Sequence, residues 1–122
     1  MKKDIAKEIF PEKIREWKEK LKEDYADYVQ EEYPDRAGVY IHENGTKICV
    51  TLCYEKDILF CQIEPDEQGE VLPRQVIETA KSLDIEPDNH GAVKYLPPHK
   101  YDDAYKFLQK VIEALAAVSS TA

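Results

Sequence analysis

VYIHENGTKICVTLCYEKDILFCQI, residues 39–63, is the stretch on which the fold turns. Asn44-Gly45 within it is the strongest short hairpin signal, because both central positions of a type I′ turn need positive φ and these two residues tolerate it. Lys56-Asp57 is a second candidate for a two-residue turn. The two turns constrain each other. With Asn44-Gly45 as the loop, Glu43 faces Thr46, Ile41 faces Ile48 and Val39 faces Val50. With Lys56-Asp57 as the loop, Tyr54 faces Leu59, Leu52 faces Cys61 and Val50 faces Ile63. Opposed residues share a face and the side-chain period is two. Both turns therefore gather Val39, Ile41, Ile48, Val50, Leu52, Tyr54, Leu59, Cys61 and Ile63 on one face, with no charge among them. A slip of one residue would mix His42, Lys47 and Thr51 into it. The stretch predicts a three-stranded antiparallel meander.

Working outward, residues 3–9 read as a short helix or helical arm, and Pro11 suits the first position of a helix. From there Ile14, Trp17, Leu21, Tyr25 and Tyr28 recur at helical spacing, and Pro34 sets the end of that helix by Tyr33. Beyond the meander, residues 64–70 are a polar loop. Pro73 opens a second helix with Val76, Ile77, Ala80 and Leu83 on one stripe. Residues 84–91, with Pro87, Asn89 and Gly91, read as an exposed loop. Ala92–Leu96 is a candidate fourth strand, stopped by Pro97-Pro98. Asp102 is placed to cap a last helix whose apolar positions are Tyr105, Leu108, Val111 or Ile112, Leu115 and Val118. The expected fold is α+β, in the order α-β-β-β-α-β-α, with the meander packed against amphipathic helices in a single domain spanning residues 1–122.

Composition narrows the function. The net charge is −8, yet residues 1–23 carry eight basic against six acidic side chains, so the acids concentrate further on. They gather at 24–35, 64–70 and 84–88. Such a surface argues against a nucleic-acid partner, which requires clustered Lys and Arg, and it can steer the protein toward a basic one. No apolar run is long enough to span a membrane, and the first ten residues lack the apolar core of a secretory signal. The cysteines number three, all on predicted strands. Reduced thiols in a cytoplasmic protein are the expectation.

Candidate chemistries are weak throughout. Cys49 lies diagonally across the first hairpin from His42, at roughly 7 Å between Cβ atoms, beyond the contact a Cys-His nucleophile needs. Cys49 and Cys53 on one strand sit about 13 Å apart, too far to share an ion. Residues 84–95 place Asn89 and Tyr95 where a calcium loop needs Gly and Glu, leaving Asp88, His90 and His99 as an adventitious metal site at most. The element order is shared with the core of PD-(D/E)xK nucleases, but the two-acid-plus-lysine cluster that holds Mg²⁺ there is missing. Phosphate-binding glycine loops are absent. Neither a cofactor nor a catalytic or metal-binding residue is assigned.

What remains is the second face of the meander, with Tyr40, His42, Cys49, Thr51, Cys53, Phe60 and Gln62, and Ile58 at its edge. It is too apolar for a solvated face and too polar for a sealed core, a mixture that resembles interface composition. Tyr40, His42, Thr51, Phe60 and Gln62 are the interface candidates. Either a terminal helix covers this face or it meets another chain. The sequence points to a non-enzymatic, acidic protein-binding module of inhibitor, immunity or adaptor type, with a protein partner or a homodimer. The alternative is a small-molecule-binding protein or small enzyme with a Tyr/His-lined pocket between helices and sheet.

Overall fold

The computed structural model describes residues 2–33, 35–43, 46–55, 58–66, 71–87, 91–97 and 100–120. The elements run α1 (Lys2–Asp24), β1 (Val29–Gln30), β2 (Arg36–Glu43), β3 (Thr46–Glu55), β4 (Ile58–Pro65), α2 (Arg74–Ser82), β5 (Glu86–Pro87), β6 (Ala92–Leu96) and α3 (Tyr101–Ser120). The six strands form one antiparallel sheet in the order β1-β2-β3-β4-β6-β5.

The meander has the register that the two turns impose. Val39 pairs with Val50 and Ile41 with Ile48 in the first hairpin. Val50 pairs with Ile63, Leu52 with Cys61 and Tyr54 with Leu59 in the second. Asn44-Gly45 and Lys56-Asp57 lie outside the described residues, but Glu43 and Thr46, and Glu55 and Ile58, pair on either side of them. The shared face is buried at Val39, Ile41, Ile48, Val50, Leu52, Leu59, Cys61 and Ile63. The helices supply the other side of the same core: Ile14, Trp17 and Leu21 from α1, Val76 and Ala80 from α2, and Ala104, Tyr105, Leu108, Val111, Ile112 and Leu115 from α3. Val111 and Ile112 are both buried because the α3 stripe is wide enough to meet the sheet and α2 together. Tyr105 Oη donates to the Asp24 carboxylate at 2.8 Å and ties α3 to the end of α1.

Several boundaries differ from the sequence reading. Pro11 does not open a helix, since α1 runs through it from Lys2. The helix ends at Asp24, well before Tyr33. Glu23 and Asp24 place negative charge at the negative end of the helix dipole, and Val29-Gln30 pairs instead with Tyr40 and Val39 of β2. Tyr28, read as helical, lies in the link between α1 and β1. Asp102 is not the cap of α3 but sits in its first turn with Asp103, where the dipole favours acids.

Residues 84–87 are not an exposed loop. α2 ends in a Schellman arrangement: Asp84 takes φ 61°, its N–H donates to Lys81 O at 3.0 Å, and the Ile85 N–H donates to Ala80 O at 2.9 Å. This turns Ile85 into the core and sends Glu86-Pro87 along β6. Ala92–Leu96 is the fourth long strand, pairing with β4 from Leu59–Leu96 to Ile63–Ala92. The sheet's outer strands, β1 and β5, have two residues each. Short edge strands limit edge-to-edge aggregation.

Candidate functional site

All three helices contribute to the one core beneath the first face of the sheet. The second face therefore has no described helix over it. By register it carries Val29 and Glu31; Arg36, Gly38, Tyr40 and His42; Lys47, Cys49, Thr51 and Cys53; Ile58, Phe60, Gln62 and Glu64; and Val93 and Tyr95.

Its centre is closed by its own side chains. Gly38 and Thr51 are opposed. A Cβ on Gly38 would lie 2.0 Å from Val50 O and 2.6 Å from Thr51 Cγ2, so only glycine leaves room for the threonine. Thr51 has 0% exposure, and Cys49 and Cys53 beside it are buried. Small residues make this floor.

Glu31 is the side chain the sequence did not single out. It sat in an acidic run that reads as solvated, but β1 carries it onto the sheet, where its N–H donates to Gly38 O at 2.9 Å. Its carboxylate is buried and accepts from Tyr40 Oη at 3.0 Å, Cys49 Sγ at 3.1 Å and the Tyr33 N–H at 3.3 Å. Burial opposes ionisation, but the hydrogen bonds from Cys49, Tyr33 and Tyr40 outweigh it and hold this carboxyl below its ordinary value. Lys18 of α1 donates to the backbone carbonyls of Glu31 and Tyr33, fixing the segment from behind.

A second polar chain crosses the neighbouring strands. Arg36 Nη1 meets Glu64 Oε1 at 3.3 Å, Gln62 Nε2 donates to Glu64 Oε2 at 3.3 Å, and Thr51 Oγ1 lies 3.1 Å from Cys53 Sγ. Burial pushes the Cys53 thiol up to about 11 and raises Cys49 further, Glu31 adding to the rise there. Thiols so placed stay protonated at neutral pH and are poor nucleophiles. Among the described residues no group of three or more His, Cys, Asp or Glu side chains is arranged to hold a metal ion. Asp88, His90 and His99 lie outside the described residues.

The five interface candidates share the face but not one cluster. Tyr40 belongs to the Glu31 group, with Lys47 Nζ 4.4 Å from its ring centroid. Gln62 belongs to the Arg36–Glu64 chain. Phe60 packs at 6.1 Å between centroids against Tyr95, its cross-strand partner. His42 is exposed at the β2 end. Thr51 has no accessible surface, contrary to the expectation that it faces a partner, because it packs into the space Gly38 leaves open and lies against Cys53 Sγ.

Exposed apolar area lies at the two ends of the face. Ile58 is 46% and Tyr95 70% exposed beside Phe60. At the other end Val29 is 58% exposed, and Tyr33, beneath the Arg36 guanidinium, is 61% exposed. Two clefts flank β1. One of about 330 Å³ is lined by Asp27, Tyr28, Val29, Tyr40, Ile41, His42 and Ala116. The other, about 520 Å³, is lined by Val29, Gln30, Glu31, Glu32, Tyr33, Tyr40 and Lys47. Among the described residues no helix is long and apolar enough to cross a membrane. Comparison of the chain with protein-family models, with curated proteins and with solved structures finds no match.

Proposed function

We propose that this chain is a protein-binding module, of the kind an inhibitor, immunity protein or adaptor requires, which docks through the open face of its sheet. The observation that carries the reading is the one-sidedness of the fold. The helices bury one face, while Val29, Tyr33, Ile58 and Tyr95, four of the large hydrophobic side chains left exposed, lie on or at the rim of the other. Exposed apolar side chains gathered on one face mark interaction surfaces, and aromatic anchors ringed by polar groups are the usual centres of binding energy. The buried polar groups between them are committed to one another, which gives a rigid platform rather than a reactive centre.

The partner is a different protein with a basic surface. Two copies of this chain, each with a net charge of −8, would repel one another at long range, whereas a basic partner gains from the same field. The alternative of a small ligand draws on the cleft that holds His42 beside Asp27, Tyr28 and Tyr40.

The test pairs Phe60→Ala/Tyr95→Ala with Lys110→Ala/Glu113→Ala on the exposed side of α3. Capture of the native partner should be lost with the first variant and kept with the second, both melting normally. Equal capture by both variants would refute the reading. Sedimentation of the wild type as a dimer that Phe60→Ala/Tyr95→Ala dissociates would replace the partner by a second copy.

A further inference from the structure

The two clefts beside β1 adjoin. Both are lined by Val29 and Tyr40, which are register partners across the β1–β2 ladder. The pair forms an apolar saddle with a depression on either side. Each depression carries one exposed carboxylate, Asp27 in the first and Glu32 in the second. Neither is in an ion pair with a described residue. Residues 24–35 hold five acids and no Lys or Arg, and Lys18 of α1, the cation near Glu32, donates to the Glu31 and Tyr33 carbonyls. Lys47, the lysine lining the larger cleft, is already engaged, over the Tyr40 ring and 3.9 Å from Asp66.

From this arrangement we infer that the β1 clefts seat an extended basic segment of the partner protein, with one cationic side chain at Asp27, one at Glu32, and an apolar side chain between them on the Val29–Tyr40 saddle. The inference rests on the protein-binding reading above and adds the chemistry of the partner and the end of the face it meets. The spacing suits an extended chain. Side chains four residues apart on one side of a strand are about 13 Å apart, and the five chain steps from Asp27 to Glu32 reach at most about 17 Å. The saddle explains why the ligand is a peptide rather than a lone cation: exposed Val29 and the Tyr40 ring supply apolar contact that an isolated ammonium group does not use.

The test titrates ¹⁵N-labelled protein with a synthetic peptide whose centre is Arg-Gly-Leu-Gly-Arg, flanked by Gly and Ser. Controls replace both arginines by citrulline or by glutamate. The arginine peptide should shift the amides of Asp27, Val29, Glu32, Tyr40 and Lys47. The citrulline peptide should bind at least ~10-fold more weakly and the glutamate peptide should leave these amides unmoved, as expected for a charge-dependent contact. Asp27→Lys/Glu32→Lys, two changes at exposed positions, should abolish the shifts without lowering the melting temperature. The absence of shifts at these amides, equal binding of the citrulline peptide, or full binding by the double variant would overturn the inference. Shifts confined to Ile58, Phe60 and Tyr95 would overturn it too, while leaving the broader protein-binding reading standing; that reading is tested separately, by whether Phe60→Ala/Tyr95→Ala keeps the native partner.

Discussion

Replacing Glu31 by Ala tests the network that closes the second face. The change strips acceptors from the Cys49 thiol, the Tyr40 hydroxyl and the Tyr33 N–H. Cys49 is buried and keeps Tyr40 as its other hydrogen-bonding neighbour, while half-buried Tyr40 can turn toward solvent. The lost hydrogen bonds to a charged group cost about 2–3 kcal/mol. For a domain of this length a kcal/mol moves the melting temperature by ~4 °C, so Glu31→Ala should melt about 8–12 °C lower. Glu31→Gln sharpens the test through pH. The folded carboxyl titrates below its unfolded value, so its contribution is present above the unfolded value of about 4.3 and is lost as pH falls through the folded one. The stability gap between wild type and Glu31→Gln should be full at pH 7 and close in acid, below the folded value. Denaturant titrations at a series of pH values read it directly. A gap that is absent at pH 7, or that stays constant into acid, would refute the role given to Glu31.

Other expectations follow from the same face and register. Gly38→Ala should destabilise by about 3 kcal/mol, at the upper end of overpacking costs, because the added methyl meets the Val50 carbonyl, which cannot step aside; a melting temperature within 2 °C of wild type would contradict the close pairing of β2 and β3. Thr51→Asp should unfold the domain as thoroughly as Val50→Asp, since both positions are fully buried and each change buries an unpaired charge; circular dichroism of the two variants checks it, and a folded Thr51→Asp would show the floor to be wet. Cys49→Ser/Cys53→Ser should retain partner capture, and in the native wild type iodoacetamide should label Cys53 and Cys49 slowly at pH 8, because burial holds both thiols protonated; rapid labelling would reopen nucleophilic chemistry.

The meander was legible because tight turns convert local sequence into register. Asn44-Gly45 and Lys56-Asp57 each fix which residues oppose which, and their agreement over Val50 left one apolar face available. No such turn joins β4 to β6, so the pairing of Phe60 with Tyr95 was not readable, and Tyr95 was missed as a member of the face. β1 was hidden for a different reason. Tyr25 and Tyr28 continue the helical spacing of Leu21, while Val29 and Gln30 pair with Tyr40 and Val39 of β2, partners eleven and nine residues further along the chain. Once β1 is placed, the alternation of Val29, Glu31 and Tyr33 shows why a glutamate from an acidic run lands on the sheet. Thr51 lies on the second face as its spacing predicts and is nevertheless fully buried, because periodicity reports direction and is silent on how closely Gly38 lets the opposite threonine pack.

The most direct measurement places the photoreactive residue p-benzoylphenylalanine at position 95, at the exposed end of the sheet face, and separately at position 113, on the exposed side of α3. Each protein is irradiated in the cells that naturally produce it. Binding through the open face predicts a discrete crosslinked protein from position 95 and none from position 113; the reverse pattern, or the same product from both positions, would contradict it.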